Sequence, residues 1–137
     1  MFLTDDTWDR DRWPNFTFRE ISCSHSGLCD IDPHCMDRLQ RMRNEIGPLT
    51  VTSGYRSPTH PIEAAKKVPG AHTTGYAFDI KCSGTRAYNV LREAILSGAR
   101  GIGIRQNGEH NKRFIHLDWI HPENNLKVPR PTVWSYT

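Results

Sequence analysis

Three short segments of the 137-residue chain set polar residues beside apolar, strand-like runs: Ser53-Gly-Tyr-Arg-Ser57, His72-Thr-Thr-Gly-Tyr-Ala-Phe-Asp79 and Phe114-Ile-His-Leu-Asp118. They offer two imidazoles, two carboxylates and a guanidinium. Imidazole nitrogen and carboxylate oxygen are donors that zinc accepts at about 2.0 to 2.2 Å, and two His plus one Asp leave the fourth tetrahedral position for water, which is the catalytic layout. Residues two apart in a strand project to one face, so His116 and Asp118 point together while Ile115 and Leu117 face a core. Asp79 alternates in the same way with Phe78 and Ile80. Taken singly, each residue also has a plain explanation. A His between Ile and Leu is commonly a hydrogen-bonded strand residue, Asp79 can cap a turn or pair with an Arg, Arg56 can anchor a loop, and Gly75 can be a turn residue.

The elements that must position these residues follow from periodicity and punctuation. Residues 1 to 31 scatter Trp8, Trp13, Phe16 and Phe18 among turn formers, as suits an irregular arm laid over the core. Asp32-Pro33 supplies an N-cap and a first-turn proline, Met36, Leu39, Met42 and Ile46 recur at helical spacing, and Gly47-Pro48 ends the run. Residues 49 to 53 form a short β-prone run. Residues 57 to 71 form a loop with at most a short helix. Tyr76 to Lys81 is a second strand, and Ala87, Val90, Leu91, Ala94 and Ile95 mark a helix over about 86 to 97, closed by Gly98. Gly101 to Arg105 and Arg113 to Ile120 flank a polar link with Asn107-Gly108 and pair as an antiparallel hairpin. His121 to Thr137 is a polar tail with a late Trp134. The expected fold is α+β: a central antiparallel sheet carrying the candidate ligands and flanked by helices, in one domain over 1–137.

Composition narrows the partners. Eighteen Lys and Arg against 15 Asp and Glu leave a net charge of +3 with no long basic run, a poor footprint for tracking phosphates, so no nucleic-acid partner is expected. The N-terminus, with Asp5, Asp6, Asp9, Arg10, Asp11 and Arg12, lacks the apolar stretch of a signal peptide, and nothing is apolar enough to span a membrane. Cys23, Cys29, Cys35 and Cys82 lack the paired spacing of a zinc knuckle, although His25 and His34 sit among them. Disulfides or buried thiols suit them better.

The order of the three polar segments resembles the zinc D-alanyl-D-alanine carboxypeptidase superfamily of peptidoglycan peptidases, which includes VanX-type dipeptidases, phage endolysins and the related hedgehog fold. The residues that carry it are Ser53-Gly54-Tyr55-Arg56-Ser57, His72-x-x-Gly75-x-Ala77-x-Asp79, and Gly101-Ile-Gly103 followed by Phe114-Ile-His116-x-Asp118. Asn15-Phe16 with Glu20 and Cys23 is similar to that family's lead-in. The resemblance implies a hedgehog/DD-peptidase-like sheet, one catalytic Zn2+ held by His72, Asp79 and His116, and Arg56 contacting a substrate carboxylate or polarised carbonyl. Many members carry an acid or histidine three positions before the last ligand, where this chain has Arg113. The base is therefore not assigned by match. Asp118 is the candidate because it shares a strand face with His116, with Glu109 and His110 as alternatives. Gly70 replaces a common serine, and Thr59-His60-Pro61-Ile62-Glu63 replaces an Asn-rich loop.

The implied function is zinc-dependent hydrolysis of a peptide bond in the peptidoglycan stem peptide, either as a phage endolysin cutting L-Ala-D-Glu or as a D-Ala-D-Ala carboxypeptidase. Arg56 and Tyr76 would bind substrate, Tyr55 and Trp119 being the other candidate cleft aromatics. A monomer is expected, made in the cytoplasm and, if phage-encoded, released to the wall by a separate permeabilising protein. The alternative is a non-catalytic zinc module of the same fold that binds a peptide or protein.

Overall fold

The computed structural model describes residues 1–68, 70–124 and 128–137. Its centre is a five-stranded sheet of β1 (Thr50–Ser53), β2 (Ala77–Lys81), β3 (Gly101–Arg105), β4 (Phe114–Asp118) and β5 (Thr132–Ser135), in the order β1-β2-β4-β3-β5. Four of these strands are the expected antiparallel set, and β3 and β4 pair across the Asn107-Gly108 link. The fifth comes from the tail and lies parallel to β3, which makes the sheet mixed. Thr132 to Ser135 carries no alternating apolar signal, because a parallel edge strand that meets backbone and a few aromatics needs none.

Strand alternation gives the sheet two unlike faces. Phe78 and Ile80 of β2 and Ile115 and Leu117 of β4 are buried on one face, sharing a core with α2 (Pro33–Ile46) and α4 (Gly84–Leu96). Helix α2 begins where the sequence placed it, with the Asp32 carboxylate accepting the Cys35 N–H at 3.0 Å and Pro33 in the first turn. It buries Met36, Leu39 and Met42. Helix α4 starts at Gly84, two residues before the expected start near 86, and buries Ala87, Val90 and Ala94. The other face carries Asp79, His116 and Asp118, in cross-strand register with one another and with two glycines: Asp79 opposes His116, His116 opposes Gly103, and Asp118 opposes Gly101.

The N-terminal arm packs Trp8, Trp13 and Phe16 into the core and ends in α1 (Phe18–Ile21), opened by a Thr17–Glu20 capping box. Arg12 donates to both oxygens of Asp37 on α2, at 2.7 and 2.6 Å, and the Trp13 indole N–H adds a third bond at 2.9 Å. The Arg12 hydrogen bonds hold the Asp37 carboxyl below its ordinary range against the opposing effect of burial. A carboxylate with a depressed folded pKa stabilises above its unfolded pKa of about 3.9, and that contribution is lost as pH falls through the folded value. Asp37→Asn is thus expected to lower stability by about 1 kcal/mol at pH 7, a figure already discounted for the water that reaches the pair. The difference should shrink as pH falls below the unfolded carboxyl pKa of about 3.9 and vanish once the folded carboxyl is itself protonated. Urea midpoints of both proteins across pH measure it, and a gap that persists at low pH would contradict the ionic origin.

All four cysteines are buried, free thiols. Among the described residues no helix is long and apolar enough to cross a membrane.

Candidate metal centre

The cross-strand pair supplies two of the expected ligands without any loop. Asp79 on β2 lies directly opposite His116 on central β4, and His116 Nδ1 is 3.0 Å from Asp79 Oδ1. The third, His72, comes from a 3₁₀ turn, Ala71–Thr74, just before β2, and its Nε2 is 3.2 Å from the same oxygen. Gly75 makes this reversal, with φ of 82°, and its Cα lies so close to the Asp30 carbonyl that a Cβ would collide with backbone. Gly75→Ala is expected to cost about 3 kcal/mol, from left-handed strain plus overpacking against a carbonyl that cannot rotate away. A urea midpoint close to that of the wild type would show the turn to be unclamped.

Each imidazole has its outer nitrogen anchored. His72 Nδ1–H donates to the Gly54 carbonyl at 2.8 Å, and His116 Nε2–H donates to Asp118 Oδ2 at 2.7 Å. That fixes the outer N–H of each ring, so that with the inner nitrogens deprotonated both lone pairs would face an ion held beside Asp79, the support that metal-ligating histidines characteristically have. Ligands around a tetrahedral ion with 2.0 to 2.1 Å bonds sit about 3.3 Å apart. The ligand atoms of His72, Asp79 and His116 all lie within 4.8 Å of one another. In donor chemistry, spacing and outer support, these residues fit a zinc ion.

Burial pushes the Asp79 carboxyl upward, but the charge on His72 and hydrogen bonds from His116 and His72 outweigh it, holding the group well below the carboxylate range. For His116, burial lowers the pKa and the hydrogen bonds to Asp118 and Asp79 more than compensate, so it is raised. Asp118 is completely buried. Its carboxyl, pushed up by burial and down by His116 and Arg130, settles at about 2. Both oxygens accept from Arg130, Nε at 2.9 Å and Nη2 at 2.7 Å.

Asp118 shares the strand face of His116 and touches it, but it sits behind the imidazole rather than in front of it. This geometry gives it the work of orienting a ligand, not of removing a proton in the cleft. Glu109 and His110 are exposed on the connection before β4 and are absent from the cleft's lining.

Arg56 is brought to the centre by the Ser53–Ser57 segment. Its backbone N–H donates to the His72 carbonyl at 3.1 Å, tying the loop to the ligand turn. Its side chain donates to Glu63 Oε2 at 3.1 Å and approaches Asp79 Oδ2 at 3.7 Å. Glu63, in α3 (Pro61–Ala64), is a fully buried carboxylate that also accepts from Lys66 and the Gly70 N–H. Tyr76 belongs elsewhere. Three residues from Asp79, it has the opposite strand parity and lines a separate hollow with Leu3, Asp30 and Pro33. Tyr55 and Trp119 are core residues.

The tail supplies what sequence reading missed. Gly101 and Gly103 are bare because Asp118 and Arg130 pack over the first and the Trp134 indole over the second. Trp134 also stands 5.1 Å from the His116 ring, and Tyr136 lies beyond it at 6.3 Å. The resulting cleft, about 380 Å³, has Arg56 and Lys66 on one side, the ligands in the middle, and Phe114, Trp134 and Tyr136 on the other. The i, i+2 aromatic pair in Trp134-Ser-Tyr136 was the available signal. Glu63 and Arg130 had none.

An α+β sheet presenting a supported His-Asp-His triplet on its open face, beside a cleft, defines a candidate metal-site protein of the peptidase kind. Comparison with protein families agrees: the chain belongs to the Peptidase M15 family, whose pattern matches residues 14–118. Curated proteins and solved structures gave no match.

Proposed function

We propose that the protein is a zinc-dependent peptidase that hydrolyses a bond in the peptidoglycan stem peptide. The observation that carries this reading is the convergence of His72, Asp79 and His116, each with its outer atoms fixed, beside Arg56 in a cleft large enough for a few residues of substrate. A zinc ion bound there supplies Lewis acidity and a water acidified toward neutral pH. Arg56 holds a permanent positive charge beside the centre, where it stabilises a carbonyl oxygen as negative charge develops. Asp118 and the Gly54 carbonyl keep the two imidazoles in place.

Because Arg56 already shares its charge with Glu63 and Asp79, it suits polarising a carbonyl better than capturing a free terminal carboxylate. We therefore favour an endopeptidase cutting L-Ala-D-Glu over a carboxypeptidase. This also suits a phage endolysin that reaches the wall through a separate permeabilising protein.

A second reading, a zinc module that binds a peptide without cleaving it, draws on one observation: among the described lining residues Asp79 is the only carboxylate. Digestion of purified sacculi by untagged, zinc-loaded protein, with fragments weighed by mass spectrometry, separates them. New amino-terminal D-Glu, abolished by chelation and restored by zinc, is expected. Stems shortened only at their ends would overturn the endopeptidase assignment, and intact sacculi with one zinc per chain would favour the binding module.

A further inference from the structure

We propose that the aromatic wall of the cleft, built by Phe114 with Trp134 and Tyr136 of the C-terminal segment, reads the sugar to which the stem peptide is attached. The inference rests on the peptidoglycan reading above and deepens it by naming the substrate class: a glycan-linked stem, not a free peptide. Trp134 and Tyr136 lie outside the span matched by the family, residues 14–118.

The wall is continuous and partly open. Phe114 and Tyr136 rings are 5.0 Å apart, Tyr136 and Trp134 6.3 Å, and Trp134 and the ligand His116 5.1 Å. All three aromatics are half-buried, leaving surface free within the cleft. The wall is also held firmly. Trp134 rests on Gly103, which no side chain could replace without displacing the indole, and the Arg130 guanidinium lies 5.1 Å from its ring while gripping Asp118.

The opposite wall fixes which part of the substrate belongs here. Arg56 and Lys66 supply the polar side, where donors already paired with Glu63 suit the amide carbonyls of the stem peptide. The stem's remaining side chains, methyls and an amine-bearing chain, present no flat apolar surface. A pyranose ring does: its C–H face is flat and uncharged and its rim is hydroxylated, matching half-buried aromatic rings that end in the Tyr136 hydroxyl.

Reach then selects the bond. From an L-Ala carbonyl at the metal centre, the sugar lies about 7 Å away across the lactyl bridge, within a wall that starts beside His116. From a D-Ala-D-Ala bond it lies about three residues further, on the order of 10 Å more, beyond the end of the wall.

Two ligands test this by calorimetry on the zinc-loaded full chain: a disaccharide-tetrapeptide and the same tetrapeptide without sugar, each with the L-Ala-D-Glu amide replaced by a methyleneamine. Binding is expected to favour the sugar-bearing ligand by about tenfold, the scale of one or two aromatic contacts. Tyr136→Ala, at a position outside the His72-Asp79-His116 metal group, should remove most of that preference while zinc content stays at one per chain, and Trp134→Phe should reduce it in part.

Equal affinities in the wild type, or a preference untouched by both variants, would overturn the proposal. So would variants that weaken both ligands equally, since the wall would then read peptide. Because no hydrolysis is needed, sugar preference in a protein that cleaves no sacculi would sustain this inference and defeat the peptidase reading. Cleavage without sugar preference would do the reverse.

Discussion

Asp79→Ala is expected to reduce zinc from one ion per chain to a trace and to lower wall-lytic activity by at least about 10³. The size follows from the several kcal/mol that Lewis-acid stabilisation contributes to hydrolysis, at 1.36 kcal/mol for each factor of ten. Asp79 is the most sensitive of the three ligands because one of its oxygens faces both imidazoles, at 3.0 and 3.2 Å, and because its negative charge is what draws a divalent cation between two neutral rings. Metal analysis and a lysis assay on the same preparation measure both effects, with His121→Ala, an exposed histidine off the sheet, as control. Full zinc in Asp79→Ala would mean that the ion sits elsewhere, and the cysteine-histidine region of residues 23 to 35 would be the place to look.

The grouping of the three candidate ligands came from the family resemblance, while the side of the sheet they occupy was legible for a physical reason. Two of them lie on strands, where alternation alone tells which side chains share a face: Ile115 and Leu117 go to the core, so His116 cannot. The cross-strand partnership of Asp79 and His116 needed only a hairpin and one more antiparallel strand. His72 was harder, since it sits on a 3₁₀ turn with no period, and Gly75 was the residue that marked the reversal.

Other parts were hidden because their causes are tertiary. Glu63 lies in a four-residue helix whose burial depends on Arg56, Lys66 and the Gly70 amide coming from three directions. The Gly101-Ile-Gly103 pattern was visible as a motif, but its cause was not: both glycines make room for a C-terminal segment that returns from thirty residues away in sequence. β5 itself lacks apolar alternation, being held by backbone pairing to β3 and by Trp134 on Gly103. Tyr76 illustrates the converse error. It was one of three candidate cleft aromatics, but its odd spacing from Asp79 puts it on the other side of the sheet.

Asp118→Asn decides between the two roles that sequence and structure give this residue. As a general base it would contribute about 10² to 10⁴ to the rate, and its loss would leave zinc affinity and stability unchanged. The structure makes a different prediction. Asp118 is fully buried, bonded to His116 Nε2 and doubly bonded to Arg130, whose side chain is only 5% exposed. An amide cannot match the charge of Arg130 or accept from both guanidinium nitrogens, so a buried cation is left without its counter-ion, at a cost of about 3 to 5 kcal/mol in folding stability. His116 also loses the anion that fixes its ring, which typically weakens metal binding 10- to 100-fold. The expected result is therefore a protein that melts earlier, binds zinc more weakly, and recovers activity to within about tenfold of wild type once zinc is saturating. Arg130→Met should reproduce the weaker zinc binding, because it acts on the same carboxylate from behind. Undiminished zinc affinity together with a rate loss of 10² or more at saturating zinc would return Asp118 to the proton-transfer role and require the buried carboxylate to reach the cleft in the working enzyme.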